Sequence, residues 1–388
     1  MVKKPEKSIY EFYIDLQRKH SAEFPNEKVA VILQVGDFYE FYGINIPERH
    51  ESILDEICEV ISIQKSHKRV REHTYEFAGF NIRSKDKFIQ LLLDNNYTIP
   101  VYNEDGVNPN GSKTRNLKEI LTPSLNINYF NQVHNNFLMS CFIDSTDDYC
   151  FIGVSHIDIT TGENFNQECF SMTNDYKYSL DELYRIIHTV MPSQLLIYCR
   201  DCKYSNEYLI KNLELDFTHY TFHNDWDSTY DNLEYQKTFL EKKFPNRKMM
   251  SIWQHLDLEH RHFATKSYVF LLQYIYLHNE TILDKINIPE FLTSQNNMIL
   301  TNNSHIQLNL VRDLNYKKSK NDSLLSILTN TCTPMGKRLI KEQLLNPILD
   351  ETELNHRYDT VEKLLPHYQE LQKIMINISD IEDRKSVV

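Results

Sequence analysis

The chain has 388 residues, 41% hydrophobic and 25% charged, an ordinary globular composition that predicts two or three domains and needs no covalent staple. Its seven cysteines are odd in number and scattered, which excludes a disulfide framework and points to a reducing intracellular compartment, cytoplasmic or with the genome. A net charge of -12 argues against a nucleic-acid binder that relies on overall basicity, but the charge is uneven: residues 1–125 hold 17 Lys and Arg against 19 Asp and Glu, a net of -2, and the other 263 residues carry the remaining -10.

No membrane or targeting segment is expected. Met1–Lys7 is basic but no apolar signal core follows, and the longest apolar stretch, Tyr268–Leu277, is interrupted by Gln273 and too short to span a bilayer. Ser8 and Glu11 have capping-box spacing before an apolar face of Ile9, Phe12, Tyr13 and Leu16, so a helix opens the chain and stops at Pro25-Asn26. Val29–Val35 reads as a buried strand ending at Gly36, Ile53–Ile61 and Lys85–Leu93 as helices, and Thr98–Tyr102 as a strand. These make a small α/β domain over residues 1–125. Residues 126–255 make a second one, with strands at Phe137–Asp144, Tyr149–Asp158 and Asn164–Phe170, a helix at Leu180–Thr189 and a strand at Gln194–Cys199. Residues 256–388 are mostly helical, at Tyr268–Leu283, Ser323–Thr329, Gly336–Leu345 and Glu351–Leu365, with short strands only near Ile299 and His305–Leu310. The expected class is multidomain α/β plus mostly α.

The strongest local signal is Gly36-Asp37-Phe38-Tyr39-Glu40-Phe41-Tyr42, where an apolar strand delivers aromatics and two carboxylates just past a glycine. As pattern alone it is a core strand running into a polar turn. A basic run, Lys65, Lys68, Arg69 and Arg71 with His67, suits either phosphate contacts or a solvated loop.

The aromatic stretch resembles the signature of the mismatch-recognition domain of the MutS family of mismatch-repair proteins. Other pieces follow in the family's order: Ala78-Gly79-Phe80, the helix and strand of Phe88–Pro100, and Ile120-Leu121-Thr122-Pro123. Gly153-Val154-Ser155 through Asp158-Ile159-Thr160-Thr161-Gly162-Glu163 resembles the connector domain. Leu308–Leu310, Thr331 to Leu339 around Met335-Gly336 and Arg338, Asn346-Pro347 and Arg357 resemble the core domain. The resemblance covers almost the whole chain and extends to giant-virus-like copies of the family. It departs at Gln34-Val35, where Arg-Met is common, and at Asn81-Ile82, where Pro and Tyr or His are usual.

The resemblance implies a mixed-sheet mismatch-recognition domain, an RNase H-like connector domain and a helical partial core domain. It makes Phe38 the wedge, Glu40 the carboxylate that bonds a base, and double-stranded DNA with mismatches or small loops the ligand. A wedge entering from the minor groove tests how easily a base step unstacks, and a carboxylate penalises intact duplex until a displaced base donates to it. No catalytic residue, metal ligand or cofactor is expected on this chain. ATP and Mg²⁺ belong to the full-length family's ATPase domain, which together with the lever and clamp helices finds no counterpart here, so a C-terminal half or a second MutS-like subunit is the expected partner.

Three further patterns carry other readings. Gly106-x4-Gly111-Ser112-Lys113-Thr114 resembles a phosphate-binding loop, but Ser112 intrudes where lysine must follow the glycine, and a loop between two strands is the better account. Cys199-x-x-Cys202 has metal or redox spacing without a second pair. Asp144, Asp148, Asp158 and Glu163 would have to converge for a metal-dependent nuclease, the alternative function; a non-functional remnant is the third reading.

Overall fold

In the first helix, α1 (Ile9–Glu23), the Ser8 hydroxyl accepts the Glu11 amide at 3.3 Å, and the helix ends one residue short of Phe24-Pro25. The structure, a computed structural model, describes residues 8–46, 49–70, 73–107, 113–126, 136–173, 175, 177–200, 202–215, 218–223, 228–245, 250–291, 298, 304, 307–310, 322–345 and 347–378. Contacts divide it into two units, residues 1–129 with 275–280, and residues 130–274 with 281–388.

The first unit is a mixed sheet. Its strands are β1 (Lys28–Val29), β2 (Ile32–Val35), β3 (Phe38–Ile46), β4 (Arg49–Glu51), β5 (Ser66–Val70), β6 (His73–Asn81), β7 (Tyr97–Val107) and β8 (Lys113–Leu121). Helices α2 (Leu54–Ile61) and α3 (Lys85–Asp94) lie between them. The apolar run expected as one strand is split into β1 and β2, both parallel to β7; β2–β3, β3–β6, β5–β6 and β7–β8 are antiparallel. β3, β6 and β8 were not legible as strands, because each mixes polar and apolar residues and is defined by the neighbour it pairs with.

Alternation along β3 sorts its side chains onto two faces. Tyr39 and Phe41 meet Phe80 of β6, which stacks on Phe88 of α3 at 4.7 Å. Tyr42 meets the other layer, with Tyr10 and Tyr13 of α1 edge-on at 5.0 and 5.5 Å. The central strands of the sheet are therefore buried between α1 and the α2–α3 pair.

The second unit is built on β9 (Phe137–Ser145), β10 (Cys150–Asp158), β11 (Asn164–Phe170), β12 (Gln194–Arg200), β13 (His219–His223) and β14 (Glu290–Phe291), in the order β13-β12-β9-β10-β11-β14. β9, β10 and β11 are an antiparallel meander, and β12 runs parallel to β9 and to β13. Helices α4 (Tyr178–Val190) and α5 (Asn206–Leu213) pack their leucines and isoleucines on one face. Helices α6 (Leu233–Lys243) and α7 (Ile252–His255) lead to α8 (His262–His278), whose residues up to Tyr274 cover the other face. There Ser267 bonds Ser140 at 2.7 Å, Phe270 stacks on Tyr198 at 3.9 Å, and Glu168 of β11 accepts the amides of Phe263 and Ala264 at 2.9 and 3.0 Å. A carboxylate at those first amides satisfies donors that no helical carbonyl reaches.

The strand expected at His305–Leu310 is not formed where it is described: residues 307–310 are a helical residue, a turn and a bend, and Ile299 lies outside the described residues. The later helices Leu324–Leu328, Pro334–Leu345 and Glu351–Leu364 match the sequence expectation closely. Glu351–Leu364 buries no residue, leaving Tyr358 and Val361 exposed. Among the described residues no helix is long and apolar enough to cross a membrane.

Gly153 of β10 is where the second unit is most sensitive. A Cβ there would lie 2.0 Å from the Phe263 carbonyl oxygen and 2.7 Å from the Ala264 nitrogen, both backbone atoms that cannot swing away. Gly153→Ala should destabilise this unit by about 1–3 kcal/mol or more, the usual cost of overpacking. Trp253 lies in this unit, in α7, so its fluorescence in a urea titration reports it. An unchanged midpoint would mean that α8 does not rest on β10.

Candidate nucleic-acid interface

β2 and β3 form a hairpin whose pairing ends at Val35 opposite Phe38, leaving Gly36-Asp37 as a two-residue turn. Gly36 has φ +60°, with open space where a Cβ would stand, so glycine is needed here for the backbone and not for room. Glycine at the first turn position is what a hairpin twisting with its strands takes. Phe38 is thus the first residue of a strand and not part of a loop. It is 47% exposed; among described residues 8–126 only Leu117 is another large apolar side chain in that state.

The turn is held from below by residues that sequence reasoning did not single out. Gln34 Oε1 accepts the Glu104 amide at 3.1 Å, and Gln34 Nε2 donates to the Gly36 carbonyl at 3.2 Å. Glu104 Oε1 accepts from the Gly36 amide at 3.2 Å and from Arg115 at 2.8 Å, while Arg115 Nε donates to the Gln34 carbonyl at 2.8 Å. Burial alone would raise the Glu104 carboxyl, but Lys113, the Gly36 amide and Arg115 hold it below its ordinary value. The one available signal was Gln34 itself, a departure from the family pattern that here becomes a two-ended clamp. Asn81, the other departure, caps the turn after β6 by accepting the Arg83 amide at 3.0 Å.

Glu40 lies on the Phe38 face, one alternation further along β3. Its carboxylate is half-buried and accepts the hydroxyl hydrogen of Tyr42. Burial, then this carboxylate, pushes the Tyr42 phenol far up, and Tyr10 is raised by burial and by the same charge. Gly79 is the cross-strand partner of Glu40; a Cβ there would come within 3.0 Å of Glu40 Cγ and 2.7 Å of the Tyr39 carbonyl. Gly79 therefore makes room for the carboxylate.

The basic run is an edge strand and not a loop. Lys68 pairs with Tyr75 and His67 with Glu76, so alternation splits the run. Lys68 falls on the Phe38–Glu40 face and is exposed, six residues along the ladder from Phe38, or roughly 20 Å. His67 is on the opposite side, 3.8 Å from Glu76. Lys65 is engaged by Asp55 at 2.7 Å and Glu76 at 3.4 Å. The backbone of Arg69 belongs to β5, its side chain is not described, and Arg71 lies outside the described residues.

The other sequence candidates are not assembled into sites. Residues 108–112 lie outside the described residues, but Gly106 stands at the end of β7 and Thr114 at the start of β8, a strand where a phosphate-binding loop runs into a helix N-terminus. Asp144 and Asp158 stand at opposite ends of the paired β9 and β10, about 23 Å apart, and Asp158 Oδ1 is occupied by the turn, accepting from the Thr160 amide and hydroxyl at 2.8 and 2.6 Å. Among the described residues no three His, Cys, Asp or Glu side chains converge as metal ligands.

Comparison with known proteins gives two family matches, MutS domain I over residues 9–128 and MutS domain III over residues 303–385. A mutS homolog of Acanthamoeba polyphaga mimivirus is 28% identical over 97% of this chain. The DNA mismatch repair protein MutS of Caldanaerobacter subterraneus is 27% identical over 98%, and that of Methanosarcina barkeri 26% over 91%. The chain spans only 36%, 41% and 38% of the lengths of these three relatives. With two of the family's domains matched in order and its members aligned along nine tenths or more of its length, this chain belongs to the MutS family.

Proposed function

We propose that the chain recognises mismatched double-stranded DNA through the β2–β3 hairpin. The observation that carries this reading is Phe38: a large aromatic side chain held half-exposed at the start of a strand, on a turn braced by Gln34, Glu104 and Arg115. A rigid mount lets an apolar side chain press between base pairs without folding back. Glu40, one alternation behind it, is the carboxylate that a displaced base would meet. Tyr42 orients it and keeps it from the solvent, so exchanging that hydroxyl for a base donor is the step that rewards a flawed pair. Lys65, Lys68, Arg69 and Arg71 are read as the phosphate-contacting run, with Lys68 foremost because it shares the Phe38 face. Its separation from Phe38 corresponds to roughly six base pairs of duplex.

The second unit supports the connector reading. An antiparallel meander joined through its first strand to two parallel strands, with helices in the crossovers, is the order an RNase H-like domain has. Its two best-placed aspartates are at opposite ends, so no observation favours the nuclease reading. ATP, Mg²⁺ and a C-terminal half or second MutS-like subunit are proposed as what the rest of the relatives' length would supply; no site for them is assigned on these residues.

Three measurements test the reading. Phe38→Ala should cut the preference for a G·T duplex over its homoduplex by roughly fivefold to a hundredfold, the worth of about 1–3 kcal/mol of stacking; equal preference in both proteins removes the wedge role. Glu40→Gln should bind homoduplex more tightly and discriminate less, whereas Tyr42→Phe should discriminate less without that gain, since the charge stays. Weaker homoduplex binding by Glu40→Gln would contradict a role by repulsion. Lys68→Gln should shallow the plot of log affinity against log salt by close to one unit, and Lys65→Gln by less, because two carboxylates already share that lysine. An identical slope for Lys68→Gln and wild type would leave β5 off the DNA.

A further inference from the structure

The Cys199–Cys202 pair lies outside the hairpin and outside everything the mismatch reading uses. β12 ends at Arg200 and α5 starts at Asn206, and β12 and β13 are parallel, so Cys199 stands at the end of the strand and Cys202 in the connection to the helix of a β–α–β crossover. That corner is where a Cys-x-x-Cys motif does dithiol chemistry, because strand and helix hold both sulfurs while leaving them within reach of solvent.

Both cysteines are partly exposed and neither is in a disulfide. The Cys199 and Cys202 thiols lie close enough to interact. The Ser145 hydroxyl donates to Cys202 Sγ at 3.3 Å, and the same oxygen accepts the Lys203 amide at 3.2 Å, which fixes its hydrogen towards the sulfur. The contact with Cys199 first, against the cost of burial, and then hydrogen bonds from Ser145 and Tyr204 bring the Cys202 thiol down to about 6; Cys199, in the same contact and also buried, is pushed up. Among the described residues, the charged and titratable groups around the pair are Asp144, which opposes ionisation of Cys202, Lys203, Tyr204 and the Cys141 and Cys150 thiols. No third His, Cys, Asp or Glu completes a metal site among the described residues.

We propose that Cys202 and Cys199 are a thiol–disulfide exchange site, with Cys202 the attacking sulfur and Cys199 the resolving one, and a small disulfide such as oxidised glutathione as the reactant. Cys202 thiolate attacks one sulfur of the disulfide, forming a mixed disulfide and expelling one glutathione thiolate. That thiolate takes the Cys199 proton. Cys199 sulfur then attacks Cys202 Sγ, breaking the mixed bond, forming the Cys199–Cys202 disulfide and releasing the second glutathione. Two protein thiols are oxidised and one disulfide is reduced to two thiols.

The test uses the reduced full chain. With its thiol lowered, Cys202 should take up iodoacetamide at pH 6 severalfold faster than free cysteine in the same tube, even allowing for the weaker nucleophilicity of a more acidic sulfur. Oxidised glutathione should then remove two of the seven alkylatable thiols, with peptide mapping finding Cys199 joined to Cys202. Cys199→Ser should stop at one glutathione held on Cys202. The proposal fails if all seven thiols remain after excess oxidised glutathione, if the bond found joins Cys150 to Cys202, or if Cys202 alkylates no faster than free cysteine. The wild-type rates and mapping decide these outcomes even if the variant does not fold.

Discussion

The pairing of Val35 with Phe38 across Gly36-Asp37 sets what the first unit presents to its surroundings. With that register, Tyr39 and Phe41 enter the α2–α3 layer, Tyr42 enters the α1 layer, and Phe38 is left beyond the edge of both. A slip of one residue would turn Tyr39 and Phe41 out to solvent and drive Glu40 among Phe80 and Phe88, which the packing of two layers forbids. The exposed phenylalanine is therefore the remainder of a strand whose other aromatics are committed to cores. It persists because Gly36 can adopt φ +60° and because Glu104 and Arg115, both mostly buried, pin the turn beneath it. Removing one partner of a pair this buried costs about 3–5 kcal/mol, so the mount is stiff compared with the stacking energy it must deliver.

The same face carries an electrostatic conflict that is useful only at a recognition site. Glu40 sits among Tyr10, Tyr42 and Gly79, and the Tyr42 hydroxyl donates to it. A neutral donor leaves the carboxylate unpaired with a cation, which a phosphate backbone resists, and can be replaced by another neutral donor at little cost. Lys68, exposed on that face, is a long way down the ladder, which separates attraction from discrimination on one surface.

The second unit meets a different constraint. Its sheet is apolar on both faces, which a parallel strand such as β12 requires, and both must be covered. α4 and α5 cover one face; on the other, α8 approaches β10 so closely that Gly153 has no room for a methyl group, and Glu168 receives the helix's first amides. The same strand-to-helix geometry that closes the first face leaves Cys199 and Cys202 at its rim.

Much of this was legible in the chain. Apolar spacing located α1, α2, α3, α4 and the late helices, since a helix must show a stripe wherever it packs, and the ordered motifs around Phe38, Gly79 and Gly153 carried the family. The alternating polar strands β3, β6 and β8 were not legible, because a strand half-committed to each face has no signature apart from its partner. The basic run showed that Lys65, Lys68, Arg69 and Arg71 were close in sequence, but not that a strand would place successive residues on opposite faces, nor that Asp55 and Glu76 would occupy Lys65. Gln34, Glu104 and Arg115 are up to 81 positions apart, and only the folded sheet brings them to one turn. The sequence by itself determined the family, the helices and the identity of the aromatic and the carboxylate. Tertiary structure alone decided which of the aromatics stays in solvent and what holds it there, because exposure and ion pairing depend on strand register and on contacts between distant segments, which no local spacing encodes.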